Sequence, residues 1–387
     1  MKVLQVSKFY PPAHGGIEAV ARDLSAGLVR QGVQVEVLCA NTRPQRADEY
    51  DTLGVRITRA ASHGMLLSTS VAPSLTWLLR QRRAEADIVH VHMPDPLAAL
   101  AVWVARPPGR VVLHWHSDVV RQRFAMRLYA PLQRWLLGRA DAVIATSRAY
   151  ADSSPALRDW LHKVHVIPIG APAAVPPTAE AVAETHRRYG SRRIVFSLGR
   201  LTYYKGYEVL VEAARELPSD VVVVVGGGGP RLDHYRALAQ RRGVADRVRF
   251  IGPMSAKRVE AHFAAAELFC LASTVRAEAY GVAVLEAMAR GKAVVATDIP
   301  GSGLGWLHQH GVTGLAVPPG DAPALAQALR SLLADADLRQ RCGAAGQSRW
   351  AQHFSTETMC AATVALYREL LAAPPHRDFP LETPRVG

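Results

Sequence analysis

"RIVFSLGR" (residues 193–200) and, twenty residues on, "DVVVVVGGGG" (220–229) are short runs of β-branched and apolar residues that end on glycine. Neither run alternates polar and apolar positions. Strands buried on both faces have that look, and such strands belong to parallel sheets covered by helices. Further runs follow at "RVRFIG", "LFCLAS" and "AVVATD", with amphipathic helical stretches between them. This is the signature of a doubly wound α/β unit.

The same alternation fills the first half, with strands expected at "KVLQVS", "VQVEVLCA", "DIVHVH", "RVVLHWH", "DAVIATS" and "KVHVIPIG". Two sets imply two facing Rossmann-like domains with a cleft between them, which suits a chain of 387 residues, too long for one core. The expected division is an N-terminal domain over 1–172, a Pro/Ala-rich linker over 173–186, and a C-terminal domain over 187–355. A last helix over 356–372 and a disordered tail over 373–387 follow. In open α/β sheets ligands sit at the carboxyl ends of strands, so the loops just after these runs are where chemistry belongs.

Composition narrows the partners. With 46 Lys+Arg against 33 Asp+Glu the chain carries +13, which points to phosphorylated ligands, anionic lipid or nucleic acid. Nucleic acid is set aside, because no helix-turn-helix, zinc-finger or aromatic-laced basic tract is present. The four cysteines are scattered, which fits a reducing compartment and no disulfide framework. No apolar run suggests a signal peptide or a membrane span, so the expected location is cytoplasmic.

"RAEAYGVAVLEAMARG" (276–291) holds Glu278 and Glu286 with seven residues between them. The helix is expected to start near Gly281 and Val282, leaving Glu278 in the preceding loop and Glu286 early in the helix. Even on one continuous helix the two would lie about 80° apart and roughly 12 Å along the axis. They are badly placed to share a proton or a metal, and well placed to grip two ends of an elongated ligand over a helix N-terminus. Taken alone, the pair reads as one turn acid and one solvated helix acid.

The stretch resembles the E-x7-E segment of retaining glycosyltransferases of family 4, the group 1 enzymes with the GT-B fold. "FSLGRLTYYKG", "VVVVVGGGGPR", "FIGPMS" and "FYPPAHGGIE" extend the resemblance over nearly the whole chain. It implies that Glu278 holds hydroxyls of the donor sugar and Glu286 the ribose. Arg200 and Lys205, after the strand 193–198, would stabilise the departing diphosphate. The loop of Pro253 and Met254 would offer backbone to the base, and Gly281 and Val282 would lie against the donor. Gly15 and Gly16 would lie near the diphosphate, with His116 beside the sugar and Asp118 orienting it. The closest wording, as in "LASTVRAEAYG" and "LHWHSDVVRQ", is that of bacterial mannosyl- and rhamnosyltransferases of surface polysaccharides. That suggests a GDP-sugar, with a UDP-sugar glucosyl- or N-acetylglucosaminyltransferase as the alternative and a UDP-sugar epimerase of the same fold behind it. A lipid-linked glycan is the implied acceptor.

Several features carry competing readings. "GGGG" (226–229) either admits a ligand to the backbone or turns the chain. Glu18 either meets the acceptor or complements a helix dipole. His90, His92 and His114 could form a metal site, but their period-2 spacing is taken to aim them at different neighbours and to satisfy local hydrogen bonds, so no metal is expected. "DAD" (Asp335, Asp337) fits a metal-binding D-x-D pattern but sits between two helices, where capping explains it. The stretch 119–141, with five arginines among Phe124, Leu128, Tyr129, Trp135, Leu136 and Leu137, suggests a basic amphipathic surface on anionic lipid, peripheral to the inner face of the membrane.

Overall fold

The computed structural model describes residues 1–13, 15–67, 69–119 and 123–374, with side chains of the helix Arg123–Arg139 described from residue 126. The tail expected over 373–387 lies outside the described residues from 375 onward, as does the side chain of Phe124. The chain divides into two units, 1–170 with the C-terminal segment from 356, and 171–355.

The first unit holds β1 (Lys2–Ser7), β2 (Gln34–Ala40), β3 (Ala47–Tyr50), β4 (Arg56–Ala60), a short hairpin β5 (Met65–Leu66) and β6 (Thr69–Ser70), β7 (Ile88–Met93), β8 (Arg110–Trp115), β9 (Ala142–Ala145) and β10 (Val164–Val166). Eight of these form one sheet in the order β10-β9-β8-β7-β1-β2-β4-β3. Every pairing is parallel except β3 with β4. The direction of strand addition reverses between β1 and β7, and a crevice opens at such a reversal.

The second unit holds β11 (Arg193–Leu198), β12 (Val221–Gly226), β13 (Val248–Gly252), β14 (Ala266–Leu271), β15 (Val294–Thr297) and β16 (Gly314–Val317), all parallel in the order β13-β12-β11-β14-β15-β16. Its reversal lies between β11 and β14. Val221 to Val225 are all buried, as an unalternated run requires.

Besides the hairpin β5–β6, three strands of the two main sheets escaped the sequence pattern. β4 reads "RITRA", with arginines breaking the apolar run; Arg59 is nevertheless buried, donating to the Tyr10 carbonyl at 3.0 Å and to Glu49 at 2.6 Å. β3 is a charged edge, and β16 has only four residues. The linker expected over 173–186 is also shorter than that. From Ala179 to Arg188 the chain is helical, with Thr178 accepting the Ala181 amide as an N-cap and Thr185 buried.

The helix Thr356–Ala372 belongs to the first unit. It packs on the helix Gly16–Arg30, where Gly27 makes room for it: a Cβ there would fall 2.2 Å from Cys360 Sγ. Tyr367 is fully buried and bonds His90 across 2.6 Å. Among the described residues, no helix is long and apolar enough to cross a membrane.

Gly27→Ala is expected to lower stability by about 1–3 kcal/mol by overpacking this seam. Cys360→Ala in the same chain should restore most of it, since alanine is otherwise the better helix residue. Denaturant midpoints of the three variants check this; an unchanged midpoint for Gly27→Ala would overturn the packing account.

Candidate active site

The reversal in the second sheet explains why two residues 73 apart meet. Lys205 lies in the loop after β11 and Glu278 in the loop after β14, and these are neighbouring strands whose carboxyl ends face the same way. Lys205 Nζ donates to Glu278 Oε2 at 2.6 Å, with side-chain exposures of 10% and 8%. Ser273 Oγ, also buried, donates to the same oxygen at 2.7 Å. Glu278 Oε1 has no partner among the described residues.

The loops are stapled to hold this geometry. Thr274 donates its amide to the Tyr204 carbonyl at 2.8 Å, and Thr297 Oγ1 to the Ser273 carbonyl at 2.5 Å. Ser302 Oγ donates to the Glu278 carbonyl at 2.5 Å. Gly206 follows Lys205 at φ 64°, and a Cβ there would fall 1.9 Å from the Ala272 carbonyl oxygen. Only glycine lets the two loops close this far. Burial pulls the Lys205 ammonium down, but the Glu278 carboxylate, with Tyr204 and Tyr207, more than offsets it and the pKa is raised. Lys205 is therefore a fixed cation.

Arg200 stands on the same loop but exposed, with no side-chain partner among the described residues. Gly281 caps the helix Val282–Ala289 in the left-handed region, and the amides of Val282 and Ala283 have no acceptor among the described residues. Glu286, expected early in that helix, is its fifth residue of eight and partly buried. Pro253 and Met254 pack on the glycine run: a Cβ on Gly226 would fall 2.2 Å from Met254 Sδ, and one on Gly228 3.1 Å from Pro253 Cγ. Gly227 and Gly229 are pressed likewise against the backbone of Gly199 and Leu201, so close packing within the protein accounts for this run. Asp335 accepts the Leu338 amide at 2.8 Å as an N-cap, so its carboxylate is engaged in capping.

In the first unit Gly15 and Gly16 begin the helix Gly16–Arg30, both exposed. A Cβ on Gly15 would fall 2.0 Å from Glu18 Oε2, so the chain's own carboxylate lies over this helix N-terminus. His116 follows β8 directly and is 6% exposed. Asp118 does not orient it. That carboxylate accepts from Trp115 Nε1 at 3.0 Å and Ser154 Oγ at 2.7 Å, whereas the His116 ring bonds His92 at 2.9 Å.

The period-2 histidines also do not diverge. Alternate residues of a strand share a face, so the four rings form one group: His92, His114 and His116 stack, with His114 and His116 centroids 4.2 Å apart, and His90 lies tilted against His92. Nitrogens of His90, His92 and His114 lie within 4.8 Å of one another, close enough for one ion. Five of their six ring nitrogens are already bonded, to Tyr367, Gln5, His116 or each other, and only His114 Nε2 is a buried nitrogen without a partner. An ion would have to displace those bonds. Burial drives all four rings down, with neighbouring rings adding to it for all but His114, which is pushed to about 3.

Ser273 and Gln5 carry no local signal of a site, and the sequence offers His92 only as a candidate metal ligand. Ser273 ends the run "LFCLAS", and His92 shares its strand with His90; their roles depend on neighbours distant in the chain.

Residues 15–170 match the family model described as glycosyl transferase 4-like domain, and residues 179–349 that described as glycosyl transferases group 1. The chain is 32% identical over 376 residues to O-antigen chain mannosyltransferase C of Escherichia coli, covering 96% of this chain and 99% of that one. It is 31% identical over 358 residues to D-rhamnosyltransferase WbpZ of Pseudomonas aeruginosa, covering 92% of each. The structure of sucrose-phosphate synthase from Thermosynechococcus elongatus superposes with a TM-score of 0.80 at 25% identity, covering 96% of this chain and 100% of that one. The chain belongs to the group 1, family 4 glycosyltransferases, with the GT-B fold. It is a hexosyltransferase.

Two consequences can be measured. Lys205→Met leaves Glu278 buried without its cation and is expected to cost about 3–5 kcal/mol of stability. Lys205→Met with Glu278→Leu should recover much of that, since a buried pair replaced by apolar groups is often near neutral. Denaturant unfolding of both variants decides it; equal losses would show that the pair is not coupled.

The second concerns acid. Rings held neutral in the fold but protonated once released make the unfolded chain the greater proton binder below about pH 6.5, so stability falls as pH falls. Each ring adds to this loss as pH falls below about 6.5, and for His114 the window extends down to about 3. The first unit's denaturant midpoint should drop steeply from about pH 6 to pH 5. A flat midpoint would mean that the rings titrate normally.

Proposed function

We infer that the enzyme is a retaining transferase that moves a manno-configured hexose, mannose or its 6-deoxy form rhamnose, from a nucleoside diphosphate to an acceptor hydroxyl. The observation that carries this is the Lys205–Glu278 pair: one carboxylate oxygen is saturated by Lys205 and Ser273 and the other is open. An open carboxylate oxygen held beside a fixed cation suits a sugar hydroxyl next to a diphosphate.

In this reading Glu278 Oε1 accepts a donor-sugar hydroxyl. Lys205 and the exposed Arg200 stabilise the diphosphate, as do the amides of Val282 and Ala283 at the helix N-terminus behind Gly281. Glu286 takes the ribose hydroxyls, and the backbone around Pro253 and Met254 meets the base. In the first unit, Gly15, Gly16 and His116 are the residues that the resemblance assigns to substrate. The bond from the anomeric carbon to the phosphate oxygen breaks, and the acceptor oxygen bonds that carbon on the same face. The acceptor proton passes to the departing diphosphate. The exchange is redox-neutral and draws on no cofactor. The two cations supply the charge stabilisation that a divalent metal gives elsewhere.

The mannosyl and rhamnosyl names of the relatives support the sugar, and with it GDP ahead of UDP as carrier. The O-antigen name of the first supports a lipid-linked glycan of surface polysaccharide as acceptor. The site of action is then the cytoplasmic membrane surface. Tyr129, Leu136 and Leu137 of the basic helix are buried in the protein, but Leu128 is 87% exposed between Arg127 and Arg134, a small footing for anionic lipid.

The experiment is a thermal-shift panel of GDP- and UDP-sugars, then transfer to a lipid-linked acceptor in anionic vesicles with and without EDTA. GDP-mannose or GDP-rhamnose should raise the melting temperature most. Turnover should survive chelation, give an α-linked product, and exceed turnover in detergent. Stabilisation by UDP-sugars alone would overturn the donor, an inverted product the stereochemistry, and loss on chelation rescued by manganese the metal-free chemistry. No gain from vesicles would overturn the membrane contact.

A further inference from the structure

His116 is the last member of a buried hydrogen-bond chain whose polarity can be read from its far end. Ser25 Oγ lies 2.8 Å from the Ala21 carbonyl, which can only accept, so Ser25 donates there. Its lone pair then takes the Gln5 amide Nε2–H at 2.9 Å. That fixes the Gln5 side chain with Oε1 toward His92 Nε2, 2.7 Å away. An amide oxygen has no proton to give, so His92 carries its proton on Nε2. A neutral His92 then has a bare Nδ1, and the ring that meets it, His116 Nε2 at 2.9 Å, must be the donor. Turning the amide over would set Ser25 Oγ against the Ala21 carbonyl without a proton between them.

We propose that Gln5, Ser25 and His92 are positioning residues that hold His116 in the Nε2–H form, with a bare Nδ1 as its free ring nitrogen. All three are fully or almost fully buried. His116 Nδ1 is not among the buried nitrogens without a partner, and no described residue bonds it, so it opens to the surface. Such an atom can only accept, so it takes a group that donates, which on a sugar is a hydroxyl. It cannot donate in turn, and the ring it belongs to stacks on His92 and His114. A histidine free to choose its tautomer would spend part of its time presenting N–H instead. This rests on the inferred contact of His116 with substrate; the tautomer itself is a property of the protein alone.

The test is nitrogen-detected NMR of the full chain with labelled histidine. His116 should show protonated Nε2 and bare Nδ1 from about pH 8 to about pH 6, and His92 the same. A proton on His116 Nδ1, or an equal mixture of tautomers, overturns the proposal. His92→Phe should release the His116 ring to a tautomer mixture and lower kcat about tenfold, the scale of one hydrogen bond, with donor KM little changed. His92→Asn, whose amide oxygen can still accept from Nε2, should restore both the tautomer and most of the rate. His92→Phe with an unaltered His116 tautomer would also overturn it. Should His92→Phe not fold, the measurement on the unmodified protein still decides. If the tautomer is as stated and His116→Ala keeps full turnover, the positioning chain stands and only the substrate contact fails.

Discussion

A lysine and a glutamate sharing one buried position set the terms for the second unit. Removing two charges from water is costly, and the pair holds only because the distance is short and Ser273 gives a second bond to the oxygen that Lys205 meets. That distance requires the loops after β11 and β14 to run backbone against backbone. The left-handed glycine after Lys205, the serine and threonine staples, and the glycine run pressed on Gly199 and Leu201 are the local means to that end. The sheet order places the two strands side by side at the point of reversal. Chemistry and topology thus converge at the one edge where a parallel sheet leaves room for a ligand.

The first unit answers the same need with neutral groups. Its reversal also exposes strand ends, but what gathers behind them is a cluster of imidazoles deprived of their charge by burial, bonded to one another, to an amide and to a phenol. The contrast is of use to a transferase. The second unit keeps a buried ion pair at its strand ends, and the first a polar but uncharged group of rings.

Much of this was legible in the sequence, and the exceptions share a cause. Runs such as "DVVVVVG" carry their environment in their own composition, so the two parallel sheets could be read directly. β4 could not, because its buried Arg59 is satisfied by carbonyls of Tyr10 and Pro11 and by Glu49, partners no local pattern reveals. Lys205 and Glu278 were each visible as candidates, but their bond to one another was hidden by a separation of 73 positions. Asp118 was misleading for the opposite reason. Two positions from His116 in sequence, it turns instead to Trp115 and Ser154, while the real partner of His116 lies on the adjacent strand.

The helix Thr356–Ala372 gives the chain an order of assembly. Residues 171–355 are continuous and carry every strand of their own sheet, so they can fold as they leave the ribosome. The first unit is made earlier and yet finishes later. Until that helix emerges, the face of Gly27 and the His90 end of the histidine stack stand uncovered. Domains usually complete themselves in the order of synthesis; here the half made first must wait for the half made second. During that wait its apolar seam is exposed to whatever else is being made nearby, which makes a chaperone's attention most useful at the start of the chain rather than at its end.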